Sequence, residues 1–248
     1  MEKELSYAQK HPIKCILLIE ACLFLLLFIA GAIATIKELS YNSPVVISFV
    51  PTAIVLIIYF TWKRKWVYFG FTRNLPLKNW LYYIPLVIIL AVLCLQGFSP
   101  KPLEIVTSYI GFVILVGFVE ESIYRGIMVK LLLPLGNFSA ILISSALFSF
   151  SHILNLLSGQ GIWQTGLQLI YALLIGIVLA QLFLKTGNIY PLIIFHSIHN
   201  LIQFLGDGGS NALIDCIVMG ILCITAIYYS LSFQSKQSNN LKTLVNDH

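Results

Sequence analysis

Charge is scarce in this chain. Asp, Glu, Lys and Arg make up 10% of its 248 residues, against about 25% in a soluble domain, which excludes an ordinary water-soluble fold. Aspartate is scarcer still: Asp207, Asp215 and Asp247 stand alone and far apart, so no paired-aspartate protease site can be built. The five cysteines (Cys15, Cys22, Cys94, Cys216, Cys223) lie within or at the edge of apolar runs and form no CxxC, which excludes a disulfide framework and a cysteine metal site. There is no His-Glu-x-x-His for a conventional zinc protease and no Gly-x-Ser-x-Gly nucleophile elbow. Internal repeats are absent, which removes the usual mark of a transporter. The net charge of +5 sits in particular loops, so nothing calls for a nucleic-acid partner.

What is abundant is apolar length. Hydrophobic residues make up 58% of the chain, and a helix needs ~20 of them to cross a ~30 Å hydrocarbon core. Eight stretches qualify: about Cys15–Ile36, Pro44–Trp62, Trp80–Leu95, Leu103–Leu131, Phe138–Leu157, Trp163–Leu184, Ile189–Leu205 and Ala212–Leu231. The first is too long for a secretory h-region and lacks a small-x-small cleavage site, so it reads as a retained helix. The expected fold is therefore all-α, a polytopic bundle of about eight transmembrane helices. It forms one domain over residues 1–234, with a polar cytoplasmic tail over 235–248. The segment Lys63 to Asn79, basic and aromatic, is expected at the interface.

Eight crossings put both termini on one side. That side then carries Lys3, Lys10, Lys14, Lys63, Arg64, Lys65, Arg73, Lys78, Lys130, Lys185, Lys236 and Lys242, and the other carries Lys37 and Lys101. The positive-inside rule makes the richer side, and both termini, cytoplasmic.

Three polar clusters interrupt the apolar helices. A charge at membrane depth costs ~2.5–3.5 kcal/mol on insertion scales, so a retained one has a partner or a function. The fourth helix carries Glu120, Glu121 and Arg125. Glu121 and Arg125, at i,i+4, form an ion pair; one arginine neutralises one carboxylate, which leaves Glu120 for proton transfer. A packing ion pair that sets helix register is the plainer reading of Glu121 and Arg125, and it does not account for Glu120. The fifth helix carries a stripe of Ser145, Ser149, His152 and Asn155, flanked by Phe148. On the seventh, His196, His199, Asn200 and Gln203 share one ~100° face. His196 and Asn200 point the same way, whereas His199 and Gln203 read as interhelical hydrogen-bonding residues. Glu120 is ten residues from Lys130 and His196 eleven from Lys185, so at 1.5 Å per residue both lie ~15 Å from the cytoplasmic cations and can meet in one cavity. Elsewhere, Glu20 reads as pairing with Lys14 or snorkelling, Asp215 as interfacial, Gln164 and Gln168 as extending the cavity lining, and Gly111, Gly117 and Gly126 as points of close helix packing.

The ordered set Glu-Glu-x-x-x-Arg, Phe-x-x-x-His and His-x-x-x-Asn, on helices four, five and seven, resembles the CPBP family. These are the CAAX-protease and bacteriocin-processing intramembrane proteases, also called the Abi family. The resemblance covers roughly Thr107 to Leu205, within a protease core of about 103–205. It implies an endopeptidase that cleaves a membrane-associated protein or peptide in the plasma membrane of a bacterium. Glu120 and His152 would correspond to the pair that activates a water, and His196 and Asn200 to the oxyanion-stabilising residues. Glu121, Arg125 and Phe148 would support them. Peptide hydrolysis needs a base, a proton donor and oxyanion donors, and the clusters supply all three. Glu120, His152 and His196 are also a candidate ligand set for Zn²⁺ with an open position; the same groups can act without a metal. Two other functions fit the composition: a non-catalytic peptide-binding or bacteriocin-immunity protein, and, less well, a proton-coupled transporter.

Overall fold

The computed structural model describes residues 7–40, 42–73, 77–207 and 212–246. Lys3, and the side chains of Lys78, Lys236 and Lys242 in the cation count, lie outside the described residues. Among the described residues there are helices and no strands. A short helical turn, Tyr7–Lys10, leads into α1 (Pro12–Ile36) and α2 (Ser43–Trp62). A 3₁₀ segment, Leu77–Tyr83, then enters α3 (Ile84–Cys94). Next come α4 (Leu103–Glu121), α5 (Asn137–Ser151), α6 (Ile162–Thr186), α7 (Tyr190–Leu205) and α8 (Ala212–Asn246). Six helices are long and apolar enough to cross a membrane; Asn79–Cys94 is a shorter apolar helix. With the 16-residue α7, they account for the eight apolar stretches, in order, as an all-α polytopic membrane bundle.

Local chemistry explains the ends. Proline opens α1, α2, α3 and α7 within the first turn, where its missing N–H has no helical partner to lose. Gly187 closes α6 with φ of 67°, a left-handed conformation that glycine adopts without penalty. The last helix runs on to Asn246, so the polar segment from residue 235 continues as helix.

Two departures from regular helix lie where the polar clusters are. After Glu121 the backbone becomes π-helical over Ser122–Met128 and returns to α-helix at Val129–Leu132. Such wider turns occur in short pieces, often at functional sites. The fifth helix tightens into a 3₁₀ turn over His152–Ser158. The stripe of Ser145, Ser149, His152 and Asn155 is thus not one straight α-helical line, because the pitch changes at His152.

Packing brings the relevant helices together. The most extensively packed pairs are α5 with α6, and α4 with α7. Between α4 and α7 the cause is Gly117: a Cβ there would stand 2.6 Å from Ser197 Oγ and 3.2 Å from the Ile193 carbonyl. Ser197 Oγ in turn donates to the Val113 carbonyl at 3.1 Å. Between α5 and α6, a Cβ on Gly176 would stand 3.0 Å from Ser145 Cβ. Small residues that let backbones approach are the usual device of membrane helix packing. Gly126 has atoms of Ile189 and Phe69 at contact distance, but Gly111 faces open space and plays no such part.

The segment after α2 folds inward. Phe69 and Phe71 are buried and pack, tilted or edge-on, with Phe60 and Trp66. Gly70 accepts a hydrogen bond from the Ile189 amide at 2.9 Å, and the Asn188 side chain donates to the Thr72 carbonyl at 2.8 Å. Part of the loop expected at the interface is therefore a plug beneath the α6–α7 turn.

Candidate active site

His196 is the centre of the polar cluster. Its Nδ1 lies 2.8 Å from Glu121 Oε1, and its Nε2 lies 3.3 Å from Glu120 Oε2. A carboxylate only accepts, so Nδ1–H donates to Glu121. One imidazole on α7 is thus held between consecutive carboxylates of α4. Gly117 lies one turn before them and Ser197 directly follows His196, so the close approach of the two backbones sets this contact.

The two glutamates differ in their surroundings. Glu121 is fully buried, and Arg125 Nη1 lies 3.1 Å from its Oε1, the i,i+4 pair expected from spacing. Glu120 keeps 14% of its side chain exposed. The arginine neutralises Glu121, and Glu120 remains the carboxylate that reaches accessible space.

Phe148 supports the cluster from α5. Arg125 Cζ sits 4.2 Å from its ring centroid, a cation–π contact worth ~2 kcal/mol where water is excluded. The same ring is edge-on to Tyr124 at 5.2 Å, to His152 at 5.0 Å and to His196 at 6.0 Å. Motif residues on three helices therefore meet on one aromatic surface. His152 is held at that ring by its own backbone contact as well. Its Nδ1 donates to the Phe148 carbonyl at 2.9 Å, which leaves Nε2 as the acceptor of the neutral ring.

Asn200 is the fourth of the residues singled out by the motifs. It lies one turn beyond His196 on α7, and its Oδ1 accepts from His199 Nδ1 at 3.2 Å. His199 Nε2 is 2.7 Å from the Tyr171 hydroxyl of α6, so His199 makes the interhelical bond expected of it. Gln203 does not; it is exposed on the bundle surface. Asn155 donates to Gln168 Oε1 at 2.8 Å, and Ser149 to the Leu169 carbonyl at 2.6 Å, so these residues tie α5 to α6.

Glu20 departs furthest from expectation. It is 6% exposed, Lys14 points outward, and the Tyr124 hydroxyl donates to the two Glu20 oxygens at 3.3 and 3.2 Å. The signal was present: Pro12, Ile16, Glu20 and Leu23 recur at helical spacing on the buried face of α1. An almost wholly apolar helix does not announce which face is inward, and a glutamate near its end reads as snorkelling. Tyr171 was also missed, because a tyrosine within an apolar helix carries no mark that separates a hydrogen-bonding role from packing.

A resident zinc does not fit this arrangement. Among the described residues no three His, Cys, Asp or Glu side chains gather closely enough to hold a metal ion. Glu120 and His196 are in contact, and His152 meets the Phe148 ring at 5.0 Å.

Residues 102–202 match the family described as Type II CAAX prenyl endopeptidase Rce1-like. This segment runs from the start of α4 through most of α7 and contains Glu120, Glu121, Arg125, Phe148, His152, His196 and Asn200. No curated protein and no solved structure matches the chain.

Proposed function

We propose that the chain is an intramembrane endopeptidase, a reading supported by the match of residues 102–202 to the Rce1-like CAAX prenyl endopeptidase family. It hydrolyses a peptide bond of a membrane-associated protein or peptide with water activated at Glu120. The observation that carries this reading is the bridge Glu120–His196–Glu121, one imidazole between a buried carboxylate and a partly accessible one.

The chemistry follows from proton positions. Glu121 takes the Nδ1–H of His196, so a protonated ring presents its second N–H at Nε2, toward Glu120. When a scissile carbonyl enters, that N–H turns to the oxygen that becomes negative, and Glu120 is free to take a proton from water. The water oxygen bonds to the carbonyl carbon. The tetrahedral species collapses as Glu120 passes its proton to the leaving nitrogen, the C–N bond breaks, and an acid and an amine result. His152 Nε2 serves as a second acceptor that orients the water, and the Asn200 amide adds an oxyanion donor. Glu121, Arg125 and Phe148 hold His196 in place. No step passes through a metal.

The family's description points to isoprenylated C-terminal tails as the first substrate class; secreted signalling or bacteriocin peptides are the others. The protease core, about 103–205, lies within a membrane domain of residues 1–234, with a polar tail after it and both termini cytoplasmic in the plasma membrane. The test uses purified protein in liposomes with an internally quenched, farnesylated CAAX peptide. Glu120→Gln abolishes cleavage while the thermal melt in detergent is unchanged; a folded Glu120→Gln protein that cleaves at the wild-type rate ends the enzyme reading.

A further inference from the structure

Asn200 can donate to an oxyanion only if its amide is turned the right way. A carboxamide has an accepting end and a donating end that differ little in size, and the hydrogen-bond network decides which faces where. Asn200 Oδ1 lies 3.2 Å from His199 Nδ1. A carbonyl oxygen only accepts, so Nδ1 carries the hydrogen. The neutral ring then has a bare Nε2, and the Tyr171 hydroxyl, 2.7 Å away, donates to it. Hydroxyl, imidazole and amide form a directed chain, in which the tyrosine proton fixes the tautomer and the tautomer fixes the amide.

His199 has little freedom to do otherwise. It is 9% exposed, its ring stacks on Tyr171 at 5.5 Å and 29°, and Phe195 packs against it at 5.9 Å. In the opposite tautomer Asn200 would turn its NH₂ toward His199. Its carbonyl would then face the reaction, opposing the negative charge that forms there.

We propose that Tyr171 and His199 are positioning residues that lock the Asn200 amide with its NH₂ group free to bind the oxyanion. This rests on the reading of Asn200 as an oxyanion donor. Tyr171 belongs to none of the three motifs, and among the described residues its hydrogen bond to the catalytic set runs through His199.

Two measurements test it. The first needs no substrate: ¹⁵N spectra of histidine-labelled protein in bilayers, with the His199 signal identified by its loss in His199→Gln. The expected His199 is neutral with its hydrogen on Nδ1; a neutral ring with hydrogen on Nε2 overturns the proposal. The second uses the farnesylated CAAX peptide. Loss of one oxyanion donor costs ~10²–10³ in kcat, so Asn200→Ala loses about that much. Tyr171→Phe keeps the ring and loosens the amide; it loses about tenfold in kcat with KM within twofold, a fraction of the full donor loss. His199→Gln, which can still donate to Asn200, retains more activity than His199→Leu. In an Asn200→Ala background Tyr171→Phe adds no further loss, because residues acting through one group are not additive. A tenfold further loss in that background overturns the proposal, as does a Tyr171→Phe protein with wild-type kcat beside an inactive Asn200→Ala. If Asn200→Ala itself cleaves at the wild-type rate, the oxyanion reading of Asn200 fails, and the positioning role with it.

Discussion

Glu121 Oε1 is shared: it lies 2.8 Å from His196 Nδ1 and 3.1 Å from Arg125 Nη1, with all three side chains at least nine-tenths buried. One carboxylate therefore both compensates a buried guanidinium and sets the orientation of the central imidazole. Removing one partner of such a buried set leaves an uncompensated charge, which costs ~3–5 kcal/mol. Glu121→Gln is expected to lose that much stability and at least a hundredfold in peptide cleavage. Chemical denaturation in mixed micelles and cleavage at saturating substrate measure the two losses. Arg125→Lys restores the charge without the planar face that stacks on Phe148, and so recovers stability only in part.

The approach of α4 to α7 gives a second expectation. An added methyl at Gly117 meets Ser197 Oγ at 2.6 Å, and overpacking of this kind costs ~1–3 kcal/mol. Gly117→Ala should separate Glu121 from His196 and reduce cleavage more than it reduces stability. Pairing it with Ser197→Ala removes the clashing oxygen, and the double variant should cleave faster than Gly117→Ala alone. A double variant no better than the single one would mean that the helices are not in this register.

How much of this was legible beforehand follows from the range of each interaction. The eight helices follow from apolar length alone, and the Glu121–Arg125 pair from i,i+4 spacing within one helix. Which imidazole meets which carboxylate was not legible, because it depends on the rotation of α7 against α4. Glu120 lies beside His196, a contact between helices that spacing within one helix does not give. Glu20 and Gly111 show the same limit on single helices: their residue types were clear, but the face each presents to the bundle was not. The π-helical turn after Glu121 and the 3₁₀ turn at His152 left no mark in apolar sequence, yet they set the local pitch of two of the three motifs.

The Glu20–Tyr124 contact yields an asymmetric expectation. Tyr124→Phe strips the donor from a buried carboxylate and costs ~1–3 kcal/mol, whereas Glu20→Gln keeps an acceptor for the hydroxyl and costs less. Thermal melts of the two variants in the same detergent give the order directly. Equal stability for the two would show that the contact carries no weight in holding α1 to the bundle.

Metal removal is a further measurement with a sign. Glu120 and His196 supply two donors, and a zinc site in a hydrolase uses three protein ligands and an open position. Protein dialysed against a strong chelator is therefore expected to cleave the farnesylated peptide as fast as untreated protein. Loss of activity that stoichiometric Zn²⁺ restores would mean that a third side chain joins Glu120 and His196 to complete a ligand set.

Phe148 offers the sharpest separation of chemistry from folding. Its ring lies under Arg125 at 4.2 Å, beside His152 at 5.0 Å and beside His196 at 6.0 Å, so one side chain supports all three motif helices. Phe148→Leu keeps apolar volume but removes the π face. The cation–π term, ~2 kcal/mol for a desolvated pair, is lost, and Arg125 gains freedom to tilt away from Glu121. His196 then loses its fixed partner at Nδ1, and the Nε2 donor no longer points consistently at the reacting oxygen. Since this affects the transition state more than substrate binding, kcat should fall by about thirtyfold or more, as ~2 kcal/mol implies, with KM nearly constant. Phe148→Tyr retains the ring and should retain most of kcat. A leucine variant with unchanged kcat would show that the aromatic surface is packing alone, and that Glu121 holds both Arg125 and His196 without it.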